Sequence, residues 1–287
     1  MNAQLPTSPA VVITGASSGI GRATALHFAR LNARIALAAR TEDALLEVAD
    51  ECVKAGAAEV MVHSTDIAEH DQVDSLFEAA IDRFGRVDIA VQSAAITAFG
   101  RFEDVPVDVF DRIVRTNLLG AANVARAALQ HFQAHGNGHL VLVGSLLGTT
   151  AVPFQSAYVV SKFGLNGLVR TLRQENHQLP GVRIHGIYPG PVDTPVYGTA
   201  GNYLGRAPKV PPTADAPETI AAAIVRATRR RRSSERQVGW FNWAAIAAYR
   251  LAPPLFDAFI TPFVRAVSFT DETDEHSEGN VANAAAR

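Results

Sequence analysis

A doubly wound α/β fold, a single Rossmann-type parallel sheet with helices on both faces, is what three features of this 287-residue chain predict. Short runs of almost unbroken apolar residues recur along it, as strands buried on both faces require. Segments with a period near 3.6 alternate with them. A glycine-spaced turn joins the first apolar run to the first helical one, as βα units do.

The elements follow in order. AVVIT (10–14) reads as a strand and IGRATALHFARL (20–31) as a helix. ARIALAA (33–39), AEVMVHS (58–64) and VDIAVQS (87–93) read as strands, separated by helices over 42–56 and 68–85. One long helix is expected from Val107 to His135, a fifth strand at HLVLVGS (139–145), a helix from Gln155 to Asn176 and a sixth strand at VRIHGIYP (182–189). Residues 190–217 are rich in Gly and Pro and too long for an ordinary connection, which marks a functional or a disordered loop. A helix follows over 217–231. The expected organisation is a flexible N-terminus (1–9), a catalytic domain (10–239), an apolar extension (240–269) and a loosely ordered polar tail (270–287).

Composition narrows the function classes. A net charge of −2 offers no global field for nucleic acid. The run RRRR at 229–232 reads as cations at the exposed C-terminal end of a helix. One cysteine permits no internal disulfide, and neither it nor the nine histidines suggest a metal site. The start lacks a secretory pattern, so a cytoplasmic protein is expected. Pro253, Pro254 and Pro262 interrupt the apolar stretch 240–267, so it is not read as a spanning helix. It can pack on a partner subunit, cover the substrate pocket, or lie on a membrane surface.

TGASSGIG (Thr14–Gly21) carries glycines at 15, 19 and 21 between a strand and a helix. That permits a tight turn, close backbone approach to a pyrophosphate, and a helix N-terminus aimed at the anion. The second strand ends in Ala39 and Arg40, where an acidic residue usually accepts from an NAD ribose. Arg40 offers a fork of donors for a 2′-phosphate, so NADP(H) is favoured over NAD(H). Tyr158 and Lys162 stand four residues apart, one helical turn, where a lysine ammonium would favour the phenolate. Alone, that pair is more often an accident of a helix surface than a functional pair.

Together these residues, in this order, resemble the short-chain dehydrogenase/reductase family from about Val11 to Val196. The matching positions are the turn at Thr14–Gly21, Asp66 after the third strand, Asn117 in the long helix, Ser145, Tyr158 with Lys162, and PGPVDTP at Pro189–Pro195. One segment departs: the family's N-N-A-G stands here as Gln92-Ser93-Ala94-Ala95.

The resemblance implies a carbonyl reductase or alcohol dehydrogenase. Tyr158 would exchange a proton with the substrate oxygen, and Ser145 would hydrogen-bond that oxygen. Lys162 would lower the Tyr158 pKa and hold the nicotinamide ribose, and Asn117 would hold a water linking Lys162 to solvent. Thr194 and the backbone at Val192 would fix the carboxamide. Gly15, Ser17, Ser18, Gly19, Ile20, Gly21, Arg40, Asp66, Ile67, Ser93, Ala94, Ala95, Pro189 and Gly190 complete the implied cofactor site.

Phe99, Phe154, Val196, Tyr197, Tyr203 and Leu204 near the expected cleft suggest an apolar ketone or secondary alcohol. A homodimer or homotetramer is the expected assembly, with peripheral membrane contact through 240–267 as the second reading. A non-catalytic nucleotide-binding regulator on the same fold is the rival function.

Overall fold

Strand β1 (Ala10–Thr14) is buried at every residue because it packs on both sides. Ala10 and Val12 enter one apolar core, and Val11 and Ile13 enter the other, following the period of two of a pleated strand. The computed structural model describes residues 6–282. After β1 come α1 (Gly19–Ala29), β2 (Arg34–Ala39), α2 (Glu42–Lys54), β3 (Glu59–Ser64), α3 (His70–Phe84) and β4 (Ile89–Gln92). A two-residue strand β5 (Ala98–Phe99) precedes α4 (Val107–Val114), α5 (Ala121–His135), β6 (Gly138–Val143), α6 (Ser156–Glu175) and β7 (Val182–Pro189).

The expected loop contains α7 (Val196–Thr199), β8 (Gly201–Asn202) and β9 (Arg206–Pro208). The chain continues through α8 (Pro217–Thr228), β10 (Ser234–Val238), α9 (Asn242–Leu251), α10 (Pro253–Ser268) and β11 (Phe269–Thr273).

Seven strands form the main sheet in the order β10-β7-β6-β4-β1-β2-β3, every neighbouring pair parallel. Helices α3, α5 and α6 supply the core on one face, and α1, α2 and α8 the core on the other. This is the doubly wound architecture expected. The strand order reverses beside β1, between β2 and β4, and such a switch point opens a crevice at the carboxyl ends of the strands.

Three elements differ from expectation. The single helix from Val107 to His135 is divided by a π-helical turn at Arg115–Gly120. Strand β10 extends the sheet to seven; its sequence SERQV is polar because it lies at an edge with Glu235 and Arg236 exposed. The tail was read as loosely ordered from Thr270, yet β11 pairs with β9 and a 3-10 turn follows at Gly279–Val281. Burial of Phe269 and Val281 anchors that stretch. Residues 1–5 of the expected flexible start and 283–287 of the tail lie outside the described residues.

The apolar extension is a helical hairpin, α9 and α10 joined at Ala252. Among the described residues no helix is long and apolar enough to cross a membrane.

Candidate active site

The glycine turn between β1 and α1 is held by contacts that leave no room for side chains. Gly15 has φ +69°, and a Cβ there would sit 2.6 Å from the backbone of Ala94. Gly19 has φ +50° and lies against Thr194; a Cβ on Gly21 would collide with the Gly15 carbonyl oxygen. The N-cap residue of α1, Ser18, makes no side-chain cap, so the first backbone N–H groups of the helix stay available to an anion.

The departing segment braces this turn. Ser93 Oγ donates to the Thr14 carbonyl at 2.7 Å, and Gln92 Nε2 donates to the Ala94 carbonyl at 2.8 Å.

Arg40 stands at the end of β2. Its guanidinium donates to the backbone carbonyls of Asn280 (2.8 Å) and Ala282 (3.3 Å), so the docked tail holds it over the cleft. Asp66 Oδ1 accepts from the Ala68 N–H at 3.0 Å, which fixes the loop after β3.

Ser145 follows β6 and caps the short turn Leu146–Gly148, accepting from the Leu147 N–H at 3.1 Å. Tyr158 and Lys162 share one face of α6, with Nζ 5.5 Å from the centre of the phenol ring. Burial pushes the Tyr158 hydroxyl up to about 12, while its hydrogen bond with Ser145 pulls the other way. Burial also drives Lys162 down to about 8.

The Lys162 ammonium donates to the Val143 carbonyl at 3.0 Å, and the Ser145 hydroxyl offsets part of the effect of burial at Tyr158.

Asn117 lies in the π-helical turn, fully buried, with Oδ1 accepting from Ile96 N–H and Nδ2 donating to Ile96 O, both at 2.8 Å. Nδ2 donates further to Ser161 Oγ at 3.2 Å. The side chain thus ties the loop after β4 to α6.

One cavity of about 880 Å³ unites the site. Gly15, Ser17, Ser18, Gly19, Ile20, Gly21, Arg40, Asp66, Ile67, Ser93, Ala94 and Ala95 line it, with Ser145, Tyr158, Lys162, Pro189, Gly190, Val192 and Thr194. Asn117 stands behind the wall. Of the aromatic and apolar loop residues, Phe99, Val196 and Tyr197 reach the cavity. Phe154 instead packs edge-on to Phe269 (6.2 Å) beneath Arg265, and Tyr203 and Leu204 pack against other cores.

The far wall is built by α9 and α10, so of the three expectations for the apolar stretch this structure shows it covering the pocket; Asn242 is not singled out by the sequence. Asn242 Nδ2 contacts the Tyr188 and Val238 carbonyls and so pins α9 beside the Pro189–Gly190 turn. The signal for the wall was present as a helical stripe of apolar residues, hidden within a stretch apolar on every side.

Comparisons with known proteins agree with this geometry. The family model described as short chain dehydrogenase matches residues 9–202. An uncharacterized oxidoreductase, YxnA of Bacillus subtilis, is 39% identical over 75% of this chain, and the match spans 61% of that relative's own length. D-beta-hydroxybutyrate dehydrogenase of Rhizobium meliloti is 35% identical over 64% of the chain and 72% of its own length. Among solved structures, an alcohol dehydrogenase from the archaeon Thermococcus sibiricus, complexed with 5-hydroxy-NADP, superposes with a TM-score of 0.71. It is 30% identical over 81% of this chain and 96% of its own. Levodione reductase superposes with a TM-score of 0.74 at 25% identity, over 84% of this chain and 100% of its own.

Proposed function

Because this chain belongs to the short-chain dehydrogenase family, we propose that it is an NADP(H)-dependent oxidoreductase interconverting a carbonyl and a secondary alcohol on a neutral, apolar substrate. The observation that carries this reading is the convergence of Ser145, Tyr158 and Lys162 on the cavity that the glycine turn also lines. A nucleotide-binding regulator would have no use for a serine–tyrosine pair facing the cavity.

The residues fit a dinucleotide. The turn at Gly15, Gly19 and Gly21 leaves backbone where a Cβ would otherwise stand, and the free N–H groups of α1 receive a pyrophosphate. Arg40 favours a 2′-phosphate, which adds charge-assisted acceptors beyond the two tail carbonyls. The ligand of the Thermococcus sibiricus relative supports the same cofactor class.

When bound, the nicotinamide supplies a hydride to the carbonyl carbon, or accepts one from the carbinol carbon. Ser145 holds the substrate oxygen in place, and its hydroxyl is itself oriented by the turn it caps. Tyr158 gives its proton to that oxygen as the carbon takes the hydride pair. With its pKa near 12 the hydroxyl keeps its proton at neutral pH, which is the state reduction needs. The Lys162 ammonium, 5.5 Å from the centre of the phenol ring, helps to stabilise the phenolate left behind.

The test is NADPH oxidation by purified protein across a panel of ketones, beside Tyr158→Phe. We expect turnover that falls at least about a hundredfold in the variant. Unchanged turnover would refute the proposed role of Tyr158.

A further inference from the structure

The cavity does not end at the catalytic residues. It continues along α9 and α10, which come after the region matched by the family model. On α10 the lining includes Phe256, Ile260, Val264 and Val267, at intervals of four, four and three residues, which is one face of the helix. Each is half-buried, although a core-facing apolar stripe would be fully covered.

The reason lies on α9. Its lining residues include Ala245 and Ala248, with Ala252 at the bend; Tyr249 closes on Phe256, ring centres 5.3 Å apart, and the small alanines leave room in the cavity beside the rest of the α10 stripe. The charged residues of the hairpin, Arg250, Asp257 and Arg265, are exposed and off the lining. From Phe256 to Val267 the stripe runs about 16 Å along the helix axis, the length of an extended alkyl chain of about thirteen carbons.

We infer that the gap between α9 and α10 is a channel for the aliphatic tail of an elongated substrate, a long-chain ketone or secondary alcohol whose reacting carbon sits at Tyr158. The inference rests on the proposed carbonyl chemistry for the position of the head, while the channel itself rests on the hairpin. Filling it removes apolar surface from water on both partners, worth about fourfold in affinity for each methylene. A charged tail would find no partner there.

The experiment compares butan-2-one with decan-2-one on the full chain in the presence of NADP(H). Calorimetric titration reads binding, and kcat/KM reads turnover. Decan-2-one is expected to bind at least about a hundredfold more tightly and to show a correspondingly higher kcat/KM. Ile260→Trp, which fills the gap, should reduce the decan-2-one to butan-2-one ratio more than tenfold. Trp243→Ser, on the exposed face of α9 and off the lining, should leave the ratio in place.

Equal affinity for the two ketones overturns the proposal. A preference that Ile260→Trp leaves intact and Trp243→Ser abolishes also overturns it, and assigns the effect to the outer face of the hairpin. A binding preference lost in Ile260→Trp, without turnover of either ketone, supports the channel while contradicting the proposed reaction.

Discussion

Lys162 is 2% exposed, and its ammonium is held by the Val143 carbonyl. Burial lowers its pKa from 10.5 to about 8, so between those values the folded chain binds fewer protons than the unfolded one. Its contribution to stability therefore rises with pH across that window, and its penalty is complete below pH 8. Lys162→Met should melt at a higher temperature than the unmodified protein at pH 7, with the gap closing toward pH 10.5, while losing activity. A variant that melts lower at pH 7 would contradict this account.

Arg40 tests the cofactor preference at the same scale. Replacing a charge-assisted partner of a 2′-phosphate by a carboxylate removes attraction and adds repulsion. Arg40→Asp should shift the NADPH-to-NADH affinity ratio by at least about tenfold toward NADH, read by fluorescence titration. Tighter NADH binding by the unmodified protein would overturn the preference.

At this scale the sequence located the wall of the cleft well, because glycines and a strand-end arginine are constrained by local backbone geometry. It did not foretell that Asn117 would tie Ile96 to Ser161 or that Lys162 would turn to Val143, since those partners come from distant elements.

Among the elements, the first six major strands were legible because burial on both faces leaves almost unbroken apolar runs. Strand β10 was not, because an edge position lets SERQV stay polar. The π-helical turn was invisible for another reason: RTNLLG keeps helical composition while its hydrogen bonds lengthen by one residue. The hairpin α9–α10 was seen only as apolar sequence, since Phe and Leu on both faces of a helix erase the contrast that periodicity needs.

Asn242 joins the hairpin to the sheet, and its removal should show how much the element depends on it. In Asn242→Ala the buried carbonyls of Tyr188 and Val238 lose this donor, a cost of about 1–3 kcal/mol. Urea denaturation should show a lower midpoint with an unchanged slope. An unchanged midpoint would mean that the anchor contributes nothing.

For the whole molecule, two cores clamp a parallel sheet whose switch point opens a cleft, and the segments beyond β10 close its far side. The central claim is that this cleft passes hydride between a nicotinamide and a carbonyl carbon, with Tyr158 supplying the proton. The most direct measurement uses NADPH carrying deuterium at the transferable nicotinamide position, with decan-2-one as substrate and mass spectrometry of the alcohol formed. The account predicts one deuterium on the carbinol carbon of decan-2-ol, at a rate at least about a hundredfold lower in Tyr158→Phe. Alcohol formed without the label, or labelled alcohol formed equally fast by the variant, would contradict it.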